Sequence, residues 1–336
     1  MEPPPTKNGH DILAIGASAG GVQALCNVIE HLPPNLPAAV FVVLHTSPHG
    51  ASVLPAILQR TGCLPASHPK DGEAVETGRI YVAPPDRHLA IRKGRIHLSR
   101  NASENGHRPA IDVLFRTAAR SFGSRVVGVV LTGNLDDGTV GLAAIKQCGG
   151  LAVVQDPADA DYPGMPESAI ANVEVDYVLP LADIAAELNR LVREPRPAEG
   201  PDCSDVEEEP DDMGTSKEEA EGSATPGVPS GLACPECGGA LFEKHDTQPL
   251  HFRCRTGHAY SPESLLAKQS DALEAALWAA LRSLEENAAL AKRLEKRSHE
   301  YGNKLASARY ERRAHDAEKH AKVLRSMLVQ GGAEMD

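Results

Sequence analysis

The first half of the chain contains three kinds of side chain that together could transfer an acyl group. Ser18 stands in a Gly-Ala-Ser-Ala-Gly stretch after an apolar run, and His45 and the pair Asp136-Asp137 follow two further apolar runs. A Gly-x-Ser-x-Gly sequence between a strand and a helix places a serine hydroxyl on a sharp, exposed turn. A histidine can then take the hydroxyl proton, and a carboxylate can orient the imidazole. These residue types predict a nucleophilic serine site.

Each of these residues also has an ordinary structural interpretation. A glycine-rich turn from a strand to a helix also suits a nucleotide phosphate, although neither Gly-x-Gly-x-x-Gly nor Gly-Lys-Ser/Thr occurs in this segment. His45 could be a hydrogen-bonded loop residue, and Asp136-Asp137 could cap a helix within a turn. The order serine, histidine, aspartate differs from the serine, aspartate, histidine order of α/β-hydrolases. A different fold that carries a similar set of residues is therefore indicated.

Alternating strand-like and helical segments between residues 11 and 192 could position these side chains together. The strand-like segments are rich in Val, Leu and Ile, as in parallel strands buried on both faces. This pattern predicts an α/β fold, a doubly wound, mostly parallel sheet with helices on both faces, whose site lies at the carboxyl ends of the strands. The predicted strands are 11–15, 38–44, 125–131, 151–154 and 175–179, and the predicted helices are 20–31, 51–60, 110–121, 138–148, 166–171 and 181–192.

Changes in composition divide the chain into four predicted parts. The α/β domain spans 9–193 and includes, at 79–99, short strands and turns that predict an antiparallel excursion. Residues 194–230 are rich in Pro, Glu, Asp, Gly and Ser, which predicts a disordered linker. A cysteine-containing module at 231–260 and a helical part at 261–330 follow.

The charge distribution argues against nucleic acid as a partner. The net charge is −12, and residues 199–221 alone hold 11 Asp or Glu and one Lys. The acidity thus belongs to the linker, and no basic domain is present to attract a polyanion. No apolar run reaches the length of a membrane span, and the N-terminus lacks a hydrophobic signal region, so we expect a cytoplasmic protein without membrane insertion. Four scattered cysteines also suit a reducing compartment: Cys26, Cys63, Cys148 and Cys203.

The other three cysteines predict a metal site. Cys234 and Cys237 are separated by two residues and followed by two glycines, a spacing that turns both thiolates toward one ion. Cys254 and His258 form a second turn, after 16 intervening residues. This Cys3His set fits a structural, tetrahedral zinc ribbon, and so small a module has too little core to fold without metal. One alternative is that the thiols are reduced and bind no metal. Another is that His245 or His251, instead of His258, is the fourth ligand.

The helical part predicts two packed helices. Ser261 and Pro262 are a typical helix start, and Gly302-Asn303 a typical break. Beyond the break, apolar residues follow the 4-3-4-3-4 spacing of a coiled-coil seam. We expect a helical hairpin that packs on itself or, as a homodimer, on a second copy of the chain. The seam positions are Leu266, Leu273, Leu277, Leu284 and Ala291 in the first helix, and Tyr310, Ala314, Ala317, Ala321, Leu324 and Leu328 in the second.

Six segments of the α/β domain occur in an order shared with a known family. They are IGASAGG, VVLHTSPHG, IYVAPPDRHL, HRPAIDVLF, GVVLTGNLDDGTVGL and YPGMPESAI. In this order they resemble the chemotaxis protein-glutamate methylesterase family, the CheB-type catalytic domain, over about residues 9–192. The sequences CPECGG and FRCRTGHAYSPESLL resemble a tail on receiver-less relatives. The resemblance implies hydrolysis of γ-glutamyl methyl esters on receptor helices, with release of methanol and without a catalytic cofactor, and in some members glutamine deamidation.

The resemblance also implies a role for each reacting residue. Ser18 would attack the ester carbonyl, and His45 would take its proton and later give it to the departing methoxide. Asp137 would hold and stabilise the imidazolium. Asp136 is the rival for the acid, but Asp137 directly precedes Gly138, the glycine of the motif.

Departures from the family pattern flank these groups and concern substrate choice and rate. Ala19 stands where Thr is common, Leu44 where Gln is common, and Asn134-Leu135-Asp136 replaces a Met-Gly-Asn-like stretch. The backbone N–H groups near Ala19 and Gly20 would bind the oxyanion, at about 3 kcal/mol per donor. Asn134 is a further candidate for a substrate contact.

The expected partner is a methylated receptor or another signalling protein. About ten residues precede the first strand, where chemotaxis members usually carry a phosphorylation-controlled receiver domain. We therefore expect no control of that kind within this chain. Two other functions remain open: a non-catalytic module that recognises glutamate-bearing helices, and a small-molecule esterase. A Ser18 that does not react with a fluorophosphonate would favour the first, and fast turnover of short esters the second.

Overall fold

The computed structural model describes residues 9–48, 50, 52–195, 203, 227–244 and 250–331. They belong to two units, of which the first ends at Leu265 and the second begins at Leu266. Most of the predicted linker at 194–230 lies outside the described residues. The boundaries between the four predicted parts stay predictions.

A seven-stranded sheet flanked by helices forms the larger part of the first unit. The strand order is β3-β4-β2-β1-β7-β8-β9, and every neighbouring pair is parallel. The predicted α/β fold is therefore confirmed. In chain order the elements are β1 (Ile12–Ala17), α1 (Gly21–Glu30), β2 (Ala39–Leu44), α2 (Leu54–Thr61), β3 (Ala66–Ser67), β4 (Ile80–Val82), β5 (His88–Arg92), β6 (Arg95–Ser99), α3 (Ile111–Phe122), β7 (Val126–Val130), α4 (Thr139–Gln147), β8 (Leu151–Gln155), α5 (Gly164–Asn172), β9 (Tyr177–Leu179) and α6 (Leu181–Leu191).

The two faces of the sheet are covered by different helices. Every residue of β1, β2 and β7 is buried, as expected for apolar parallel strands. One face packs against α1, α2 and α6, and the other against α3, α4 and α5. Strand β1 lies between β2 and β7, so the chain changes direction across the sheet there. A crevice at the carboxyl ends of these strands is the usual ligand position in such a sheet.

The segment 79–99 differs in part from the antiparallel excursion that its sequence predicts. Strands β5 and β6 do form an antiparallel hairpin, but β4 pairs parallel to β2 within the main sheet. The reason is burial: all three residues of β4 are buried, and the Tyr81 ring stacks on Phe41 of β2 at 5.2 Å between centroids. The apolar side chains of β4 are thus buried only if the strand joins the central sheet.

A small antiparallel sheet contains the cysteine module. Its strands are β10 (Val228–Ala233), β11 (Ala240–Lys244), β12 (His251–Cys254) and β13 (Ala259–Tyr260), in that spatial order. Within 227–244 and 250–265, the part of this region that the structure describes, the core cluster has six residues, two of them cysteines, which is small. They are Cys234, Leu241, Phe252, Cys254, Tyr260 and Leu265.

Two long helices form the C-terminal part, as predicted. They are α7 (Pro262–Glu300) and α8 (Lys304–Gly331). The ion pairs Glu285–Arg325 and Lys292–Glu318 show that the two helices run antiparallel. Their seam is lined by small residues: Ala288, Ala291, Ala314, Ala317 and Ala321. Leu266 and Leu273 are exposed, which differs from the predicted seam, because this end of α7 lies before the segment that faces α8. Among the described residues, no helix combines the length and the apolarity needed to cross a bilayer.

Candidate active site

Ser18 lies on the turn between β1 and α1. Its backbone N–H donates to the Thr132 carbonyl at 3.0 Å, which ties the turn to the end of β7. A Cβ atom on Gly16 would lie 2.4 Å from Ile111 Cγ2, so only glycine allows α3 to approach β1 this closely. The turn therefore presents the serine at the carboxyl edge of the sheet, as the motif predicts.

His45 connects Ser18 to Asp137. Its Nδ1 is 3.1 Å from Ser18 Oγ, and its Nε2 is 2.7 Å from Asp137 Oδ2. Because the carboxylate accepts from Nε2–H, Nδ1 has a lone pair and can accept the serine hydroxyl proton. The ring orientation is the reverse of that in chymotrypsin-like proteases, where Nε2 faces the serine. The structure thus brings the three predicted residues together, from the ends of three neighbouring strands.

Asp137 is buried and held by several donors. Oδ2 also accepts from Ile111 N–H at 2.7 Å, and Oδ1 accepts from Asn105 Nδ2 at 3.0 Å. Burial alone would favour the neutral acid, but the hydrogen bond and charge of His45 outweigh it and hold the pKa of Asp137 well below its ordinary value. The carboxylate is therefore ionised and fixed in position.

Asp136, the rival acid, faces elsewhere. Its Oδ1 accepts from Ser264 Oγ at 2.6 Å, in the first turn of α7. Burial raises the pKa of Asp136, although hydrogen bonds from Ser261 and Ser264 oppose this shift. Between the two neighbouring carboxylates, the geometry favours Asp137 as the partner of His45.

The candidate oxyanion and substrate residues lie around the serine turn. Ala19 and Gly20 directly precede α1, and neither backbone N–H donates to another described residue. They are therefore donors next to a helix N-terminus from which an oxyanion could accept hydrogen bonds. Asn134 is exposed at the end of β7, where a substrate could reach it.

Three residues of the site were not predicted from the sequence. Asn105 donates from Nδ2 to both Asp137 Oδ1 and Asp112 Oδ2, at 3.0 Å each. The His107 ring stacks on His45, with 3.6 Å between centroids. Asp112 accepts from Gly138 N–H at 3.0 Å and from Gly141 N–H at 2.6 Å, and burial followed by the nearby Asp137 charge raises its pKa. The Asn-Gly pair before His107 indicates a turn, but it gives no sign of these contacts.

A buried ion cluster supports the segment that carries Asn105. Glu104 accepts from Arg116 Nη1 and Nη2, and also from Arg253 Nη2 of β12, each at 2.9 Å. Burial would raise the pKa of Glu104, but the charges of Arg116 and Arg253 outweigh it and hold this pKa well below its ordinary value.

The Glu104→Gln variant is expected to lose about 3–5 kcal/mol of unfolding free energy at pH 7, because it leaves buried arginines without their partner. A depressed carboxyl pKa stabilises the fold above the unfolded-state pKa of about 4.3, and this contribution is lost as the pH falls. Urea denaturation should therefore give a difference between wild type and variant that shrinks below about pH 4. Glu174→Gln, at an exposed position, is the control. A difference that is equal at pH 7 and pH 3 would contradict this role of Glu104.

The predicted metal ligands converge in the ribbon. The ligand atoms of Cys234, Cys237, Cys254 and His258 all lie within 4.8 Å of one another. His258 Nδ1 is 3.6 Å from the sulfurs of Cys234 and Cys254, and the sulfurs of Cys237 and Cys254 are 3.7 Å apart. Tetrahedral Zn–S bonds of 2.3 Å place ligand atoms about 3.8 Å apart, so the set fits zinc.

The pKa values of two thiols in the cluster are shifted in opposite directions. A hydrogen bond from the Thr256 hydroxyl is the largest of several effects that lower the pKa of Cys237 to about 6. Burial raises the pKa of Cys234. Of the two alternative histidines, His251 is absent from this ligand group and His245 lies outside the described residues.

Comparison with known proteins relates the α/β domain to one family. Residues 13–188, just over half of the chain, match the CheB methylesterase family. A protein-glutamate methylesterase/protein-glutamine glutaminase of Methanosarcina mazei is 37% identical over 192 residues, which cover 55% of this chain and 52% of that protein. A relative from Leptospira interrogans is 39% identical over 183 residues, covering 54% of this chain and 95% of its own.

A solved structure agrees with these sequence relationships. The crystal structure of the Thermotoga maritima CheB methylesterase catalytic domain is 36% identical, with a TM-score of 0.52, and covers 54% of this chain and 98% of its own. The chain spans about half the length of several curated relatives that it matches. The family match ends before the cysteine ribbon begins.

Proposed function

Because the chain belongs to the CheB methylesterase family, we propose that it hydrolyses γ-glutamyl methyl esters on a receptor-type signalling protein and releases methanol. The observation that carries the proposal is the hydrogen-bonded series from Ser18 through His45 to Asp137. The names of its relatives, which pair methylesterase with glutaminase, support deamidation of glutamine as a second reaction at the same serine.

The geometry supports a two-step acyl transfer. Ser18 Oγ attacks the ester carbonyl while its proton passes to His45 Nδ1, and Asp137 stabilises the resulting imidazolium through Nε2–H. The tetrahedral oxyanion accepts hydrogen bonds from the N–H groups of Ala19 and Gly20. Collapse breaks the bond to methoxide, which takes the proton from Nδ1 and leaves as methanol. A water molecule then gives a proton to the same Nδ1 and attacks the acyl-serine carbonyl. The bond to Ser18 Oγ breaks, Oγ takes the proton back from Nδ1, and free glutamate is released.

The test is an assay of the full chain with a methyl-esterified cytoplasmic receptor fragment. Methanol release that depends on the methyl ester, with an unmethylated fragment as control, is the expected result. Ammonia release from a glutamine-bearing fragment measures the second reaction. Rapid hydrolysis of short esters without methanol release from any methylated receptor fragment would instead favour the small-molecule esterase.

We further propose that the cysteine ribbon binds one structural zinc ion through Cys234, Cys237, Cys254 and His258. The zinc would supply folding free energy to a module with a small core, and no reaction step passes through it. The proposal also places the protein in the cytoplasm, where the seven free cysteines of the chain would stay reduced.

Zinc binding gives a direct prediction for cysteine reactivity. The protein purified with zinc should contain one ion per chain, and Cys237→Ser should lose it because three ligands remain. Iodoacetamide should alkylate the exposed Cys237 after chelation but not before, while the exposed Cys63 reacts equally in both states. Mass spectrometry of the two peptides measures this. Equal alkylation of Cys237 with and without chelator would exclude it as a ligand.

A further inference from the structure

We propose that the metal-loaded cysteine ribbon is a positioning element of the active site, because it fixes the segment Ser103–His107 that orients Asp137 and His45. The inference rests on the proposed function of Ser18, His45 and Asp137. It assigns a role in that reaction to a module outside the region that matches the family.

The ribbon contacts this segment through its backbone. Asn105 N–H donates to the Ala259 carbonyl at 2.8 Å, and Ala259 N–H donates to the Ser103 carbonyl at 3.3 Å. Strand β13 thereby extends its pairing onto the α/β domain, through a parallel bridge between Ala259 and Glu104. Residues 103–107 therefore contact the ribbon through their backbone and the candidate active site through the Asn105 side chain.

A hydrogen bond from Ser261, the residue directly after the ribbon, sets the orientation of the Asn105 amide. Ser261 N–H donates to Asn105 Oδ1 at 2.9 Å, which leaves Nδ2 facing the carboxylates of Asp137 and Asp112. A reversed amide would place its oxygen against two carboxylates and its NH2 group against a backbone donor. Ser261 therefore fixes the one orientation in which Asn105 holds Asp137 for His45.

The metal cluster is connected to the same segment through Glu236. This residue lies between Cys234 and Cys237 in sequence, and its Oε2 is 3.2 Å from His258 Nε2. Its carboxylate also accepts from Ser103 Oγ at 2.6 Å and from Tyr260 OH at 2.9 Å. When Nδ1 of His258 ligates zinc, Nε2 carries the proton and donates it to Glu236, an arrangement that orients metal-bound histidines. Glu236 therefore contacts both the metal ligand and the segment that supports the catalytic acid.

A change in metal occupancy should therefore change the reactivity of Ser18. Without metal, the thiols and His258 lose their common ligand, so strand β13 and the Ser261 that follows it are held less firmly. Asn105 then no longer fixes Asp137, so proton transfer by His45 slows. Substrate binding should change little, because the ribbon acts on Asn105, which contacts Asp137 Oδ1, whereas His45 contacts Oδ2. The expected kinetic result is a lower kcat with little change in KM.

The experiment measures fluorophosphonate labelling of Ser18 in the full-length protein, over a range of pH. Chelation of wild type and the Cys237→Ser variant should each slow labelling by about tenfold or more, as for the loss of metal-site supporting contacts. Cys63→Ser, which removes an exposed cysteine outside the cluster, is the matched control and should label normally. Glu236→Gln keeps all four ligands, so it should retain zinc but label more slowly.

A double-mutant cycle separates positioning from general loss of structure. If the ribbon acts through Asn105, then Cys237→Ser combined with Asn105→Ala should label no more slowly than Asn105→Ala alone. If the slowing by Cys237→Ser and the slowing by Asn105→Ala multiply in the double variant, the proposal is overturned. Labelling of the metal-free protein at the wild-type rate and with the wild-type pH profile would also overturn it.

A second readout does not depend on activity. The proton between His45 Nε2 and Asp137 should give a downfield NMR signal that weakens or shifts on chelation and returns with zinc. If wild type does not react with the fluorophosphonate but this signal still responds to metal, the proposed function fails and the positioning role stands. A signal that does not respond to metal overturns the positioning role.

Discussion

The Ser18→Ala variant is expected to release methanol about 10⁶-fold more slowly than wild type, as for removal of the nucleophile in other serine hydrolases. Alanine cannot form the acyl intermediate, so the remaining rate reflects water attack with help only from oxyanion donors and binding. His45 and Asp137 stay in place but have no hydroxyl to activate. Methanol release from a methylated receptor fragment, at saturating substrate, measures the loss.

The matched control is Ser270→Ala, which removes an exposed hydroxyl on α7. It should retain the wild-type rate. A fluorophosphonate should modify the peptide containing Ser18 in wild type and in Ser270→Ala, but not in Ser18→Ala. If Ser18→Ala retained more than about a hundredth of the wild-type rate, a different nucleophile would have to be sought.

The Asp137→Asn variant is expected to lose about 10⁴-fold in kcat, because it disturbs the tautomer of His45. Oδ2 of Asp137 accepts from both His45 Nε2–H and Ile111 N–H. If the amide oxygen of the new asparagine takes the place of Oδ2, its NH2 group faces the NH2 group of Asn105. If the amide is reversed, its NH2 group faces the Ile111 N–H instead. In the reversed state the amide donates to Nε2, so the imidazole proton moves to Nδ1, which then cannot accept from Ser18.

Asp136→Asn is the control for this substitution, because it makes the same replacement of a carboxylate oxygen by an NH2 group at the adjacent residue. Asp136 contacts Ser264 rather than His45, so the variant should retain most of its activity. Methanol release and fluorophosphonate labelling of both variants test the assignment. A larger loss in Asp136→Asn than in Asp137→Asn would reverse the roles of the two residues.

The sheet could be predicted, and Ser18, His45 and Asp137 could be proposed as a site, because local patterns in the sequence indicate both. Strands β1, β2 and β7 are continuous apolar runs, and each is followed directly by the polar residue or loop of the site. Parallel strands place such residues at one edge of a sheet, so positions along the chain were enough to place Ser18, His45 and the pair Asp136-Asp137 there. The choice of Asp137 over Asp136 rested on the family resemblance. The four proposed metal ligands could be selected for a similar reason, since paired turns give their spacing.

The contacts of Asn105 and Asp136 with the region after the ribbon could not be predicted, because they join distant parts of the chain. Ser261 N–H donates to Asn105 across 156 positions, and Ser264 Oγ donates to Asp136 across 128. No pattern in either segment specifies the other. The parallel pairing of β4 was missed for the same reason, since its burial depends on β2 and not on its own three residues.

Ile111 has a consequence for attempts to move this site onto another scaffold. Its side chain lies against Gly16, two residues before Ser18, and against Gly138, directly after Asp137. A Cβ atom on these glycines would come within 2.4 and 2.9 Å of it, and the Ile111 N–H donates to Asp137. The thickness of one isoleucine thus sets the separation between the serine turn and the aspartate loop. A design that grafts Ser18, His45 and Asp137 onto another scaffold must therefore also transfer Gly16, Ile111 and Gly138.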